Sequence, residues 1–126
     1  IASNVSLSSS NAFGIRFNND TGNNYNRTFI QGNGSSVGVA QDINGSIANL
    51  LVNAFSSNGQ VIINIMDYTA TDKTKTLLSR YNNASSETTA VAAKWASTSA
   101  ITSLYLTFFG SSALSGSTFA LYGVTA

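Results

Sequence analysis

Apolar and polar residues alternate along most of this chain with a period of two residues. The segment 13–17 has its apolar residues at the odd positions, and the segment 103–108 has them at the even positions. Consecutive side chains of a β-strand point to opposite faces, so this period is typical of strands with one buried face. Apolar residues at helical spacing do not recur, and the pattern therefore predicts an all-β protein.

Further strands are predicted where similar runs occur, at 24–30, 46–55, 60–68, 75–82, 88–96 and 117–123. The breaks between them are rich in Asn, Gly, Ser and Asp, which favour tight turns. Eight or nine strands at a spacing of about 12 residues predict an antiparallel β-sandwich of jelly-roll type. The Ala-rich run 90–96 and the run 44–54 are also compatible with short helices; we interpret both as strands.

Uncharged hydrogen-bonding residues dominate the composition, because Ser, Thr and Asn make up 48 of the 126 residues. With 43% hydrophobic residues the chain is still apolar enough to form one core, which predicts a single domain over residues 1–126. Residues 1–10 are expected to be a linker or a swapped N-terminal segment. Since the chain starts at Ile1 and not at Met, we expect a fragment of a longer protein or a processed product.

Several kinds of chemistry are excluded or disfavoured by the residue types. The chain contains no Cys, no His and no Pro, which excludes Ser–His and Cys–His nucleophiles and thiolate metal sites. The net charge is +1, and the only tight basic cluster is Lys73 with Lys75, so no nucleic-acid binding is predicted. No run approaches the ~18 apolar residues that span a bilayer, so no membrane insertion is predicted. No cofactor is predicted.

The tripeptide Asp20-Thr21-Gly22 matches the motif of aspartic proteases, in which two such carboxylates share a proton. The flanking residues are Asn on both sides, which is typical of a polar turn. We therefore predict that the Asp20 carboxylate caps backbone N–H groups in a turn. The same loop offers one carboxylate only, so no metal site is predicted either.

A carboxylate pair for acid–base catalysis would need two of the five acids to meet across a cleft, namely two of Asp20, Asp42, Asp67, Asp72 and Glu87. Asp67 and Asp72 are five residues apart and are followed by Lys73 and Lys75. We interpret this segment as a polar loop with local ion pairs. The chain is therefore predicted not to be an enzyme. The alternatives that stay open are an Asp-Thr-Gly protease and a depolymerase of surface glycan.

After these exclusions, binding of a neutral ligand is the function that the composition favours. Amide and hydroxyl groups with exposed aromatic rings are suited to sugar recognition. The candidate ligand-binding residues are Trp95, Tyr81, Tyr105 and Tyr68, which alternation allows to point outward, as it does Tyr122. The competing interpretation, which we favour for any single ring, places it in the core or in a subunit interface.

Two segments carry a resemblance to a known family. Residues 15–25 read I-R-F-N-N-D-T-G-N-N-Y, and residues 116–124 read G-S-T-F-A-L-Y-G-V. Together they resemble the opening and closing strands of a domain found in tailed-bacteriophage proteins. The residues that match are expected to be scaffold: Asp20, Gly22, Gly116, Phe119 and Tyr122.

The resemblance implies the C-terminal receptor-binding domain of a phage tail fibre, located at the distal end of the fibre in the virion. Such domains are generally β-structured homotrimers that bind polysaccharide or other molecules on the bacterial surface. The resemblance thus implies a homotrimeric, jelly-roll-like sandwich that acts in host recognition. A structural capsid or decoration domain of the virion is the alternative within binding proteins.

Overall fold

The computed structural model describes residues 2–5, 13–50, 59–82, 87–110 and 112–124. Within these ranges the chain forms ten β-strands and no helix. In chain order the strands are β1 (Ala2–Val5), β2 (Phe13–Phe17), β3 (Tyr25–Gly32), β4 (Val37–Gly45), β5 (Ala48–Asn49), β6 (Gly59–Ile65), β7 (Lys75–Asn82), β8 (Thr88–Trp95), β9 (Leu104–Phe108) and β10 (Thr118–Phe119).

The strands form two antiparallel sheets. The larger has seven strands in the order β10-β1-β6-β7-β8-β3-β4, and the smaller has three in the order β5-β2-β9. The two sheets share one apolar core, an arrangement consistent with a β-sandwich. The predicted all-β, antiparallel fold class is confirmed at this level.

Alternation along β7 and β8 decides which side chains enter the core. Buried and exposed residues alternate without a break in both strands, from Lys75 to Asn82 and from Thr88 to Trp95. Leu77 and Ala93 are direct neighbours across the two strands and are both buried. The Ala-rich segment is thus a strand, as predicted, because its partners on both sides form a continuous hydrogen-bonded ladder.

Aromatic rings fill the space between the sheets. Phe17 from the small sheet lies 5.5 Å from Trp95 and 6.3 Å from Tyr25 of the large sheet, measured between ring centroids. Phe13 stacks on Phe108 at 5.3 Å. These tilted and offset contacts between rings at 4.5–7 Å are favourable beyond the area that they bury. The core therefore depends on a few large side chains from both sheets.

The hairpin between β3 and β4 closes through a predicted turn. The side-chain oxygen of Asn33 accepts hydrogen bonds from the backbone N–H groups of Ser35 and Ser36 at 3.0 and 2.9 Å. Gly34 has a φ of 84°, a left-handed conformation that favours glycine. The side chain of Asn33 thus takes the place of a backbone acceptor in the turn.

Strand β4 was not predicted from the sequence, and this omission is the main difference between the predicted and the observed strands. Its nine residues are exposed along almost their whole length, because β4 is the terminal strand of the large sheet. The predicted strand 117–123 is longer than the observed β10, Thr118–Phe119, which pairs with β1. Ala2–Val5, expected in a linker or swapped segment, form a strand of the large sheet. Of the predicted strand 46–55, the part 51–55 lies outside the described residues, as does 6–10.

Candidate functional site

The Asp20 turn follows β2 and connects the small sheet to the large one. Asn18 and Asn19 adopt positive φ values of 53° and 54°, which Asn tolerates better than most residues. The chain then reverses, since the N–H of Asp20 donates to the carbonyl of Phe17 at 2.9 Å. The backbone N–H of Gly22 donates to Oδ1 of Asp20 at 2.8 Å, which confirms the predicted cap.

The second carboxylate oxygen of Asp20 holds a side chain from the large sheet. Oδ2 accepts from the indole Nε1 of Trp95 at 2.7 Å and from Nδ2 of Asn24 at 2.8 Å. Burial alone would raise the pKa of Asp20, but the three hydrogen bonds from Trp95, Asn24 and Gly22 outweigh it, and the pKa lies below its ordinary value. Asp20 is therefore an ionised acceptor whose two oxygens are both engaged.

Asn18 connects the same turn to the segment before β9. Its Nδ2 donates to the carbonyl of Ala100 at 2.8 Å, and its Oδ1 accepts from the backbone N–H groups of Thr102 and Ser103 at 2.8 and 3.2 Å. The hydroxyl of Tyr25 accepts from the N–H of Phe17 at 3.0 Å. Burial and the negative charge of Asp20 raise the pKa of Tyr25, although the hydrogen bond to Phe17 opposes them. These hydrogen bonds of Asp20, Asn18 and Tyr25 all stabilise the turn and its contacts with neighbouring strands.

The second candidate for carboxylate chemistry, the loop between β6 and β7, is also built from local contacts. Lys73 lies 3.5 Å from Asp67 in an exposed ion pair, as the sequence predicts. Lys75 is fully buried, and its Nζ donates to the carbonyls of Lys73 and Thr98 at 2.9 and 3.1 Å. Within the described ranges no three His, Cys, Asp or Glu residues gather in a group that fits a metal ion.

Two of the candidate ligand-binding residues are buried, which removes them from the surface and agrees with the core interpretation favoured for any single ring. Trp95 is 2% exposed and Tyr81 is 3% exposed, and both belong to the core cluster. Each stands at an inward position of its strand, so neither contacts a ligand from the surface of this chain. Tyr68 and Tyr105 are exposed as predicted, at 48% and 46%, and Tyr122 is exposed at 69%. A role of Tyr68 and Tyr105 in ligand binding stays a prediction.

Of the other residues that match the phage segments, Gly116 and Phe119 have structural roles. Gly116 has a φ of 91° in the turn that precedes β10, which explains the need for glycine there. The ring of Phe119 lies 6.1 Å from Phe108 and 6.4 Å from Phe13, so it extends the aromatic core toward the edge of the sandwich. Tyr122, in contrast, lies outside the core.

An apolar surface on the large sheet was not predicted from the sequence. Ile30 of β3 and Val39 of β4 are paired neighbours and are 52% and 73% exposed. Ile30 and Val39 line a shallow groove on the outer face of the sheet, together with Leu78 and the small side chains of Ala90 and Ala92. The alternation Val37-Gly38-Val39-Ala40 carried the signal, but glycine and small residues made it look like a loop.

Comparison with known proteins identifies no relative, since no family model, no curated protein and no solved structure matches this chain. Among the described residues no helix is long and apolar enough to cross a membrane.

Proposed function

We propose that this chain is a non-enzymatic attachment domain at the distal end of a bacteriophage tail fibre, and that it binds a receptor on the bacterial surface. The proposed receptor is a polysaccharide. The resemblance of residues 15–25 and 116–124 to phage tail proteins motivates the location. The chemistry of the exposed surface supports the ligand class.

The exposed rings of Tyr68 and Tyr105 are the observation that carries this proposal. Tyr68 lies in the loop between β6 and β7, beside Thr69 and Thr71, and Tyr105 lies on β9 beside Leu104 and Leu106. A tyrosine ring offers an apolar face to the C–H groups of a sugar and a hydroxyl for hydrogen bonding. Sites for uncharged ligands combine such rings with a few polar groups that fix orientation.

The engaged carboxylates support a function in binding over one in hydrolysis. In an aspartic protease two carboxylates approach each other, whereas Oδ2 of Asp20 already accepts from Trp95 and Asn24. Asp67 is paired with Lys73, and Asp42 with Arg27. The acids in these contacts stabilise turns and strands.

We further propose that the sandwich is of jelly-roll type and works as a homotrimer. Three copies at a fibre tip would present three identical sites to one cell surface. Multivalent binding raises apparent affinity without any new contact, which suits weak individual sugar sites. The low charge and the exposed apolar side chains of the large sheet favour self-association.

The test uses the labelled protein on a panel of bacterial isolates and on surface polysaccharides purified from them. We expect binding to a subset, and a loss of about tenfold for Tyr68→Ala or Tyr105→Ala, since one aromatic contact contributes about 1–1.5 kcal/mol. Ser35→Ala, an exposed position in the turn between β3 and β4 whose hydroxyl is outside the proposed site, is the control and should bind normally.

Two outcomes would overturn the proposal. Binding to no isolate by a folded, oligomeric protein would favour the capsid or decoration alternative. Release of reducing ends from the bound polysaccharide would show a depolymerase.

A further inference from the structure

Two apolar surfaces lie at opposite ends of the seven-stranded sheet. The first, called here the β4 edge, consists of Val37, Val39 and Ile43 with the neighbouring Ile30 of β3. These side chains are 72%, 73%, 67% and 52% exposed. Strand β4 is terminal in its sheet, so one side of its backbone pairs with β3 and the other side faces outward. A long, uncovered edge of this kind invites pairing with another strand.

The second surface, called here the C-terminal segment, comprises residues 120–124 directly after β10. Leu121, Tyr122 and Val124 are 77%, 69% and 85% exposed. None of the residues 117–124 has a positive φ, so the backbone is compatible with a continued strand. Leu121 and Tyr122 are adjacent and point to opposite sides in an extended chain. As an added strand the segment would place one of these side chains on each face of the extended sheet, beside the side chains of β4.

We infer that these two surfaces form one interface between copies of this chain, in which the C-terminal segment of one copy adds as a strand to the β4 edge of the next. The lengths agree. At about 3.3 Å per residue, the five residues of the C-terminal segment span ~17 Å and fit within the ~30 Å of the nine residues of β4. Gly38 and Ala40 alternate with the valines of β4, so the face opposite Val39 leaves room for the large residues of an incoming strand.

The charges of the two surfaces are also compatible with this pairing. Residues 112–124 contain no charged side chain, and the single charged residue of β4, Asp42, is paired with Arg27. Adding the segment to the edge therefore buries no unpaired charge, which would be costly. Face-to-face stacking of two outer sheet surfaces fits less well, because Arg80 and Lys94 are both exposed there and would face like charges.

The area available reaches the lower limit for a specific contact. A fully covered aromatic side chain buries about 150–250 Å², and with Leu121, Val124 and the backbone added to Tyr122 the segment buries at most on the order of 500 Å². A similar area of the β4 edge gives roughly 1,000 Å² in total for each interface, the lower limit for a specific one.

The symmetry follows from the pairing of two different surfaces. Each copy uses its β4 edge on one side and its C-terminal segment on the other, which is a head-to-tail contact. Such contacts form a closed ring or an open filament, depending on the rotation between successive copies. A ring of three would agree with the proposed homotrimer. The inference rests on the self-association within the proposed function and not on receptor binding.

The test compares molar mass in solution at high micromolar concentration for the wild type and two variants. The wild type should be a trimer of the 13.1 kDa chain. Val39→Lys and Leu121→Lys should each fall to one third of the wild-type mass, with unchanged circular dichroism, because both positions are exposed in the single chain. Thr71→Lys, an exposed loop substitution, should remain trimeric, and Val37→Lys replaces Val39→Lys if that variant fails to fold.

Mixing the two variants tests the pairing itself. The Val39→Lys chain keeps an intact C-terminal segment, and the Leu121→Lys chain keeps an intact β4 edge, so the mixture should form a 1:1 heterodimer. A monomeric wild type, a Leu121→Lys variant that stays trimeric, or a mixture without heterodimer would overturn the inference. Cell binding by the wild-type monomer would leave the receptor proposal intact, whereas a trimer that binds no cell would overturn the receptor proposal alone.

Discussion

Replacing Asp20 by Asn is the sharpest test of the carboxylate as a structural acceptor. The amide has the same shape but offers one acceptor and one donor, whereas Asp20 accepts from Gly22 with one oxygen and from Trp95 and Asn24 with the other. In either orientation of the amide, at least one N–H faces another N–H. Hydrogen bonds to charged groups contribute about 1.5–3 kcal/mol, so we expect Asp20→Asn to lower the free energy of unfolding by about 2–3 kcal/mol.

A double-mutant cycle with Trp95→Phe separates the hydrogen bond from packing. Trp95→Phe alone removes the indole N–H and leaves a smaller ring in the core, while in the Asp20→Asn background only the packing loss should remain. We expect a coupling energy of about 1.5 kcal/mol or more from denaturant unfolding at fixed protomer concentration. A coupling below about 0.5 kcal/mol would refute the bond as a source of stability.

The same variant gives a pH signature. Because the pKa of Asp20 is lowered on folding, its contribution to stability is present above the unfolded value of about 4 and is lost as pH falls through the folded value. The stability difference between wild type and Asp20→Asn should therefore shrink as pH falls below about 4. A constant difference, or a protease activity that Asp20→Asn abolishes, would contradict the structural role.

Two further predictions concern Thr89 in the large sheet and Gly14 in the small sheet. Thr89 is buried, and its hydroxyl has no hydrogen-bond partner among the described residues. Thr89→Val should therefore leave the free energy of unfolding unchanged or raise it by up to about 1 kcal/mol, and a loss above about 1 kcal/mol would reveal a partner of the hydroxyl. A Cβ on Gly14 would lie 2.7 Å from Cδ1 of Ile47 and 2.9 Å from the carbonyl oxygen of Ala48. Gly14→Ala should therefore lower the free energy of unfolding by about 1–3 kcal/mol, measured by thermal or chemical unfolding. Gly123→Ala is the control, because its Cβ would meet open space.

Strands with different residues on their two faces were predictable from the sequence. β2 was predicted with its observed bounds, because large apolar residues alternate there with Gly14 and Arg16. β7 was also predicted with its observed bounds. The cap at Asp20 followed from turn chemistry that is local in sequence.

The inward direction of Trp95 was missed, because the alanines on both faces of β8 leave little besides Lys94 to mark its outer face. Ala90 and Ala92 point outward while Val91 and Ala93 point inward, and nothing in their chemistry tells the two sets apart. The phase of the strand is fixed by its register against β7 and β3, which the sequence does not contain. Strand β4 was missed for a related reason, since an edge strand has little buried surface to mark its alternation.

The partners of the Asp20 turn have a consequence for the order of folding. Trp95 follows Asp20 by 75 residues, and Ser103 follows Asn18 by 85. Contacts at such separation form late, because the entropy of closing the intervening loop is lost before they can form. Substitutions at these positions should therefore accelerate unfolding and leave the refolding rate almost unchanged. The turn would then determine how long the folded domain persists before it unfolds.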